Sequence, residues 1–279
     1  MIHVDKNRVA VPNILMKDNC DPDGEKQKAI QYFEGNMGQK VTFEIYGHNT
    51  VKSTLKQLFH NKCAYCESIV THVSYPHVEH WRPKGGVAGE SSHNGYYWLA
   101  SEWSNLLLAC SVCNGASHKG NHFPIARGSS YAFRSNQDLA IERPLLINPC
   151  LETNLSLHLS YRKKGGVQGI TVEGKKSIEV YGLNRHDLLV ERKKFADIVV
   201  GQLEDINYFV GELREAVATG RSQASHTKIK RQIKQKVENL KKFCGSDFQY
   251  SGMIRYLINA YRQANMQDQD LMAAIRNLI

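Results

Sequence analysis

Between residues 63 and 124 the chain gathers side chains that bind metals and move protons. Cys63-Ala64-Tyr65-Cys66 and Cys110-Ser111-Val112-Cys113 each set two sulfurs within reach of one ion. Four thiolates suit tetrahedral zinc in a structural role, and such a closed site leaves no open position for catalysis. The 43 residues between the pairs exceed the commonest spacing, so zinc would staple the two ends of an insertion that should carry the function. Cys20, Cys150 and Cys244 stand alone and read as buried thiols.

That insertion holds Val78-Glu79-His80-Trp81-Arg82-Pro83-Lys84, then Asn105, Asn114 and His118-Lys119-Gly120. Phosphodiester hydrolysis needs a base to activate water, a divalent cation to stabilise the phosphorane and leaving oxygen, and donors to hold the phosphate. A His beside an acid, followed by an Asn and a Lys, supplies all three. The plainer alternatives are His80 as a surface histidine, Asn114 as a helix cap and His118 as a bystander. His77, His93 and His122 fit no required position, although His77 could touch substrate. Tyr96, Tyr97, Trp98 and Trp103 could stack on bases or pack around a small zinc core.

Cys63-x-x-Cys66, Glu79-His80-x-x-Pro83, Asn105-Leu-Leu-Leu-x-Cys110 and Cys113-Asn114 with Lys119 resemble, in order and spacing, the HNH or ββα-metal nuclease family. The resemblance implies His80 as general base and Glu79 with Asn114 as ligands of a catalytic divalent ion, Mg2+ or Mn2+. It implies Asn105 as a brace of the loop that positions His80, and Lys119 or His118 as a phosphate contact. Neighbouring strand residues point to opposite faces, so Glu79 and His80 can share a site only at a strand end or a distortion.

Lys62 to Glu67, Val78 to Lys84, Lys119-Gly120-Asn121-His122-Phe123-Pro124, Leu146-Ile147-Asn148-Pro149 and Tyr181-Gly182-Leu183-Asn184 narrow the likeness. Together they resemble the HNH subunit of Septu-type anti-phage systems (PtuB-like), also found beside reverse transcriptases in retrons. The likeness covers about residues 50 to 195. It implies an effector held by an ATPase subunit (PtuA-like), with a reverse transcriptase and its msDNA as partners in a retron setting. DNA and RNA, tRNA included, are both implied as substrates.

Around this centre the patterning predicts an α+β protein with flanking helices and a helical C-terminal region, and the resemblance implies a zinc-stapled ββα-metal core. The expected segments are an N-terminal piece over 1–48, a nuclease domain over 49–150, and a hairpin plus helices over 151–279. Asp23 to Phe33 reads as a short helix. Asn49 or Thr50 caps another, with Val51, Leu55, Leu58 and Phe59 on one face. Arg82 to Gly95, rich in Gly and Ser, reads as a long mobile loop. Leu106 to Ala109 is strand-like, and Ser111 to His118 starts a short helix. Leu155 to Tyr161 and Val167 to Val172 read as a hairpin, and Gly174 to Tyr181 as a helix. Val199, Leu203, Ile206, Val210 and Leu213 form one apolar stripe. Further helices are predicted over Thr227 to Phe243 and Phe248 to Leu278.

The formal net charge of +9 and pI near 9.1 favour a polyanion partner, without excluding an unspecialised basic surface. Lys228, Lys230, Arg231, Lys234, Lys236, Lys241 and Lys242 stand against Glu238 alone, on a helix that could grip phosphates or dock on an acidic protein patch. The N-terminus lacks the pattern of a signal peptide, and no apolar run approaches the ~20 residues that span a bilayer. A cytoplasmic protein with reduced thiols is therefore expected. Two competing functions need the same cysteines and charge: a zinc-stabilised nucleic-acid-binding module that does not cut, and an adaptor built on the C-terminal helices.

Overall fold

A computed structural model describes residues 1–35, 37–70 and 75–278. Among these residues the chain is a mixture of helices with two small two-stranded sheets. Two compact units divide it, one of residues 1–159 with 169–183, the other of residues 160–168 with 184–279. The cuts expected after residues 48 and 150 do not coincide with this division, because the N-terminal helices and the segment after the hairpin pack into the first unit.

In the first unit, α1 (Asn13–Cys20) and α2 (Glu25–Gly35) come first, α1 being absent from the sequence expectation. Glu25 ties α2 to the chain at Glu44 and Ile45, whose backbone amides it accepts. Helix α3 (Asn49–Leu58) buries Val51, Leu55 and Leu58, each such burial contributing roughly 1.5–3 kcal/mol. Its cap is neither Asn49 nor Thr50 but His48, whose ring accepts from the Thr50 amide at 3.2 Å. Strand β1 (His77–His80) pairs antiparallel with β2 (Leu106–Ala109), placing Glu79 opposite Leu107 and His80 opposite Leu106. Leu106, Leu107, Leu108 and Ala109 are all buried, which explains a continuous apolar run where a half-exposed strand would alternate. Helix α4 (Ser111–Asn114) follows at once and packs on β1. It is one turn long, shorter than expected, because Gly115 leaves the helix with an extended conformation.

The stretch 82–95 is irregular, yet it is tied down. The Ala88 amide donates to Asn121 O at 2.9 Å, the Tyr96 amide to Pro83 O at 2.7 Å, and the Asn121 side chain to Gly85 O at 2.9 Å. Gly95 sits at φ +85, and a Cβ there would come within 2.6 Å of Gly85 N and Lys84 C. Only glycine fits that close approach.

Strands β3 (Leu159–Tyr161) and β4 (Val167–Gly169) form the second sheet, shorter than the sequence suggested because residues 155–157 wind into a 3-10 turn. Helix α5 (Val172–Val180) starts at Thr171, whose hydroxyl caps the Gly174 amide.

The second unit is helical. Helix α6 (His186–Ala218) buries Val199, Leu203, Ile206 and Val210 of the predicted stripe. Gly220, at φ +67, turns the chain into α7 (Gln223–Phe243), which packs Ile229, Ile233, Val237 and Leu240 inward. The single last helix expected over 248–278 is two: α8 (Ser251–Ala264) and α9 (Gln269–Ile275). Asp268 breaks the run by capping Leu271 at 2.9 Å. Among the described residues, no helix is long and apolar enough to cross a membrane.

Candidate metal centre and cleft

The two cysteine pairs meet. The sulfurs of Cys63, Cys66, Cys110 and Cys113 lie within 4.8 Å of one another, all buried, with Cys66 and Cys110 at 4.0 Å. A tetrahedral zinc with bonds of about 2.3 Å sets its sulfurs about 3.8 Å apart, so the tetrad fits a zinc ion. Backbone bonds build the cage: the Ala64 amide donates to Leu108 O at 2.8 Å and the Cys63 amide to Ser68 O at 2.9 Å. The Cys113 amide donates to Cys110 Sγ at 3.3 Å. In the metal-free chain, burial pushes the Cys63 thiol well above its ordinary value. The neighbouring thiols push Cys113 up and hold Cys110 down. Of the lone cysteines, Cys244 is buried as expected, whereas Cys150 is half-buried and Cys20 exposed.

Beside the tetrad lies a cleft of about 340 Å3 lined by Glu79, His80, Asn114, Tyr46, Lys84 and Asn121 among others. His80 is the last residue of β1. The strand end is where Glu79 and His80 can both reach one cleft, which resolves the conflict set by alternation. His80 is 8% exposed. Its Nε2 lies 2.9 Å from Ala100 O. A carbonyl only accepts, so Nε2 carries the proton and Nδ1 holds the lone pair. Burial lowers the His80 pKa to about 3, and the ring is neutral at physiological pH. Tyr46 packs its ring edge-on to His80 at 4.6 Å.

Glu79 is buried, accepting from Tyr65 OH at 3.1 Å with Lys119 Nζ at 3.4 Å. Burial raises its carboxyl above the ordinary range, with Lys119 and Tyr65 pulling the other way. Tyr65 in turn stacks on Tyr181, ring centroids 3.8 Å apart. Asn114 ends α4 and places Nδ2 3.2 Å from His77 Nδ1, which leaves its Oδ1 as the oxygen available to an ion. A carboxylate and an amide oxygen fit magnesium or manganese, which take hard oxygen ligands.

Asn105 accepts from the Arg82 amide at 2.8 Å and donates to Arg82 O at 2.9 Å and Leu99 O at 3.2 Å. It therefore clamps the segment after His80 to the residue next to the carbonyl that holds the His80 ring.

Lys119 is placed otherwise than expected. It is 0% exposed, and its ammonium meets Glu79 and the carbonyls of His80 and Gly120. It is a buried counterion, not a cation held out to phosphate. His118 bonds Ser117 and lies against Gly182. The cation lining the cleft is Lys84, 5.2 Å over the Tyr46 ring. Lys84 carries no role in the sequence motif, and Tyr46, far from it in the chain, has no motif around it. Tyr96, Tyr97, Trp98 and Trp103 are buried and serve packing. His93 is buried too, joining Ala132 O at 3.1 Å and the Gly95 amide at 2.9 Å. Arg82 turns from the cleft to pair with buried Glu142 at 2.8 Å.

No family model matches the chain, and no solved structure matches it. Among curated proteins, it is 40% identical to Septu protein PtuB of Bacillus mycoides (strain KBAB4) over 196 residues, 68% of this chain and 65% of that protein. A Septu protein PtuB of Bacillus thuringiensis is 30% identical over 169 residues, 60% of this chain and 51% of that protein. Septu protein PtuA of the same Bacillus mycoides strain is 32% identical over 173 residues, which cover 60% of this chain but 24% of that longer protein. The chain spans less than two thirds of each of these relatives. Over 68% of its own length it is similar to Septu protein PtuB.

Proposed function

We propose that the protein is a metal-dependent HNH endonuclease that hydrolyses phosphodiester bonds of DNA or RNA, as the effector of an anti-phage complex regulated by a PtuA-like ATPase. One observation carries the reading: Glu79, His80 and Asn114 line a single cleft on a strand–strand–helix frame adjoining the cysteine tetrad. The likeness to Septu protein PtuB supports the defence role, and the likeness to Septu protein PtuA supports a partner of that kind.

In this reading Cys63, Cys66, Cys110 and Cys113 hold a structural zinc, and Glu79 with Asn114 Oδ1 holds Mg2+ or Mn2+. Such an ion, when bound, acidifies water and offsets charge on the phosphate. His80 Nδ1 takes one proton from the attacking water, whose oxygen bonds to phosphorus. The opposite P–O bond breaks, and its electron pair leaves with the departing oxygen, which is then protonated. Ala100 O holds the ring in the tautomer this requires. Asn105 is a positioning residue, and Lys84 takes the phosphate contact that Lys119 is too buried to make.

Plasmid, genomic DNA and tRNA, incubated with and without magnesium in the presence of the ATPase subunit, test the proposal. Wild type should cut at least one of them only with magnesium. His80→Ala should cut none while keeping its zinc content and tryptophan emission. An active His80→Ala protein refutes the mechanism, and a wild type that binds but never cuts favours the non-cleaving module.

A further inference from the structure

The charge of this protein is not evenly spread. The second unit holds 19 of the 36 Lys and Arg and 11 of the 27 Asp and Glu, a net +8. The first unit, with its cleft, keeps 17 and 16, a net +1. Inside the second unit the two long helices treat their cations differently. On α6, Lys193 pairs with Asp197 and Lys194 with Glu191. On α7, Lys228, Lys230, Arg231, Lys234 and Lys242 are exposed. None of the five side chains has an ion pair or hydrogen bond among the described residues, while Lys236 and Lys241 are taken by Asp205 and Glu238.

Lys228, Arg231 and Lys234 follow at i, i+3 and i+6 on the solvent side of α7, away from Ile229, Ile233, Val237 and Leu240. Like charges three and four residues apart repel and weaken a helix. The one carboxylate on α7, Glu238, is paired with Lys241, and a row of cations left without ion pairs is relieved by an external polyanion. From Lys228 to Lys242 the row runs about 21 Å at 1.5 Å per residue. No aromatic residue stands among these cations between 227 and 242, so there is no platform for the unstacked bases of a single strand. A duplex offers regularly spaced phosphates and needs no such platform.

We propose that the outer face of α7 binds the phosphate backbone of a nucleic-acid duplex and supplies most of the substrate affinity that the near-neutral cleft unit lacks. The inference rests on the nuclease reading for the word substrate, but not for the binding itself. Both units belong to one chain, so capture by α7 raises the concentration of duplex that the first unit meets.

The test is fluorescence anisotropy with a short labelled DNA duplex, its single strand and polyglutamate, over a salt series without added magnesium. The full-length protein is compared with the quadruple variant Lys228→Gln, Arg231→Gln, Lys234→Gln, Lys242→Gln. All four side chains are exposed, and an unchanged far-UV spectrum confirms the fold. Wild type should bind duplex more tightly than single strand or polyglutamate. The variant should lose about tenfold or more in duplex affinity, and its slope of log affinity against log salt should fall by about 3 to 4, at roughly 0.9 per phosphate contact. The paired control Lys193→Gln, Lys194→Gln should change the slope far less. An unchanged variant, an equal loss in the α6 control, or tighter binding of the single strand overturns the proposal. So does a variant that keeps duplex affinity but no longer binds the ATPase subunit. A wild type that binds duplex through α7 and never cleaves any substrate sinks the nuclease reading and leaves this one standing.

Discussion

Lys119 and Glu79 form a buried ion pair beneath the cleft, and Lys119→Met tests whether the lysine serves the carboxylate or the substrate. At 3.4 Å two unit charges attract by about 5 kcal/mol at an effective dielectric near 20. Desolvation of both partners offsets much of that, yet removing one partner strands the other, at a cost of about 3–5 kcal/mol. Glu79 can escape part of this by taking up a proton, since burial already raises its pKa. A destabilisation of about 3 kcal/mol is therefore expected, or a fall in Tm near 10 °C for a unit of this size. All three tryptophans, Trp81, Trp98 and Trp103, lie in the first unit, so urea titration followed by tryptophan emission isolates its unfolding. The double variant Glu79→Gln, Lys119→Met should lose less than the sum of its single variants, by about 2 kcal/mol. If Lys119→Met stays within about 0.5 kcal/mol of wild type and only weakens nucleic-acid binding, the lysine is a phosphate contact and the pairing argument fails.

Zinc removal should act on one unit: Cys110→Ser should abolish stoichiometric zinc in elemental analysis and red-shift the tryptophan emission, while the far-UV helical signal of the second unit persists. Since burial raises Cys63 and the other thiols raise Cys113, zinc uptake by the apo protein should release protons, seen as a buffer-dependent enthalpy in calorimetry. Acidification should weaken the first unit through His93, whose ring nitrogens are both occupied and whose pKa burial lowers from 6.5. Its folded value lies below the unfolded one, so its contribution is whole above about pH 6.5 and is lost as pH falls through the folded value. His93→Gln should flatten the pH dependence of the urea midpoint below neutrality, and an unchanged profile would assign that loss elsewhere. Asn105→Ala removes three hydrogen bonds and should cost about 2–3 kcal/mol in the same titration, with cleavage falling more than binding; equal losses would make Asn105 a fold residue alone.

What could be read from the chain was what is local or chemically exclusive. Two C-x-x-C pairs flanking a polar segment have few uses, and their sulfurs do converge. Leu106 to Ala109 has the length and composition of a buried strand, and it is one. Long-range choices left no local mark. Nothing near Lys119 says that its ammonium turns inward to a carboxylate forty residues earlier, because a Gly-flanked lysine reads the same exposed or buried. Tyr46 meets His80 only in the folded chain, 34 residues away in sequence. The break between α8 and α9 depends on Asp268 capping Leu271, a short-range signal that the apolar periodicity of the segment outweighs.

The cysteine tetrad and the open cleft share their backbone, and this argues that an ion held by the tetrad would set the cleft's dimensions. Glu79 is paired in register with Leu107. Leu108, one residue on, accepts from the Ala64 amide inside the first knuckle, and β2 runs directly into Cys110. On the other side, Asn114 follows Cys113 in the same helical turn. The carboxylate and the amide proposed to share an ion are thus tied to the tetrad by separate routes, Glu79 through its pairing with β2 and Asn114 through its neighbour Cys113. Only four residues form α4, too few to be stable as a free helix, so its position depends on Cys110 and Cys113 being held. Loss of the tetrad should move Asn114 relative to Glu79 even where β1 and β2 stay paired. Loss of His80 should leave every one of these distances unchanged.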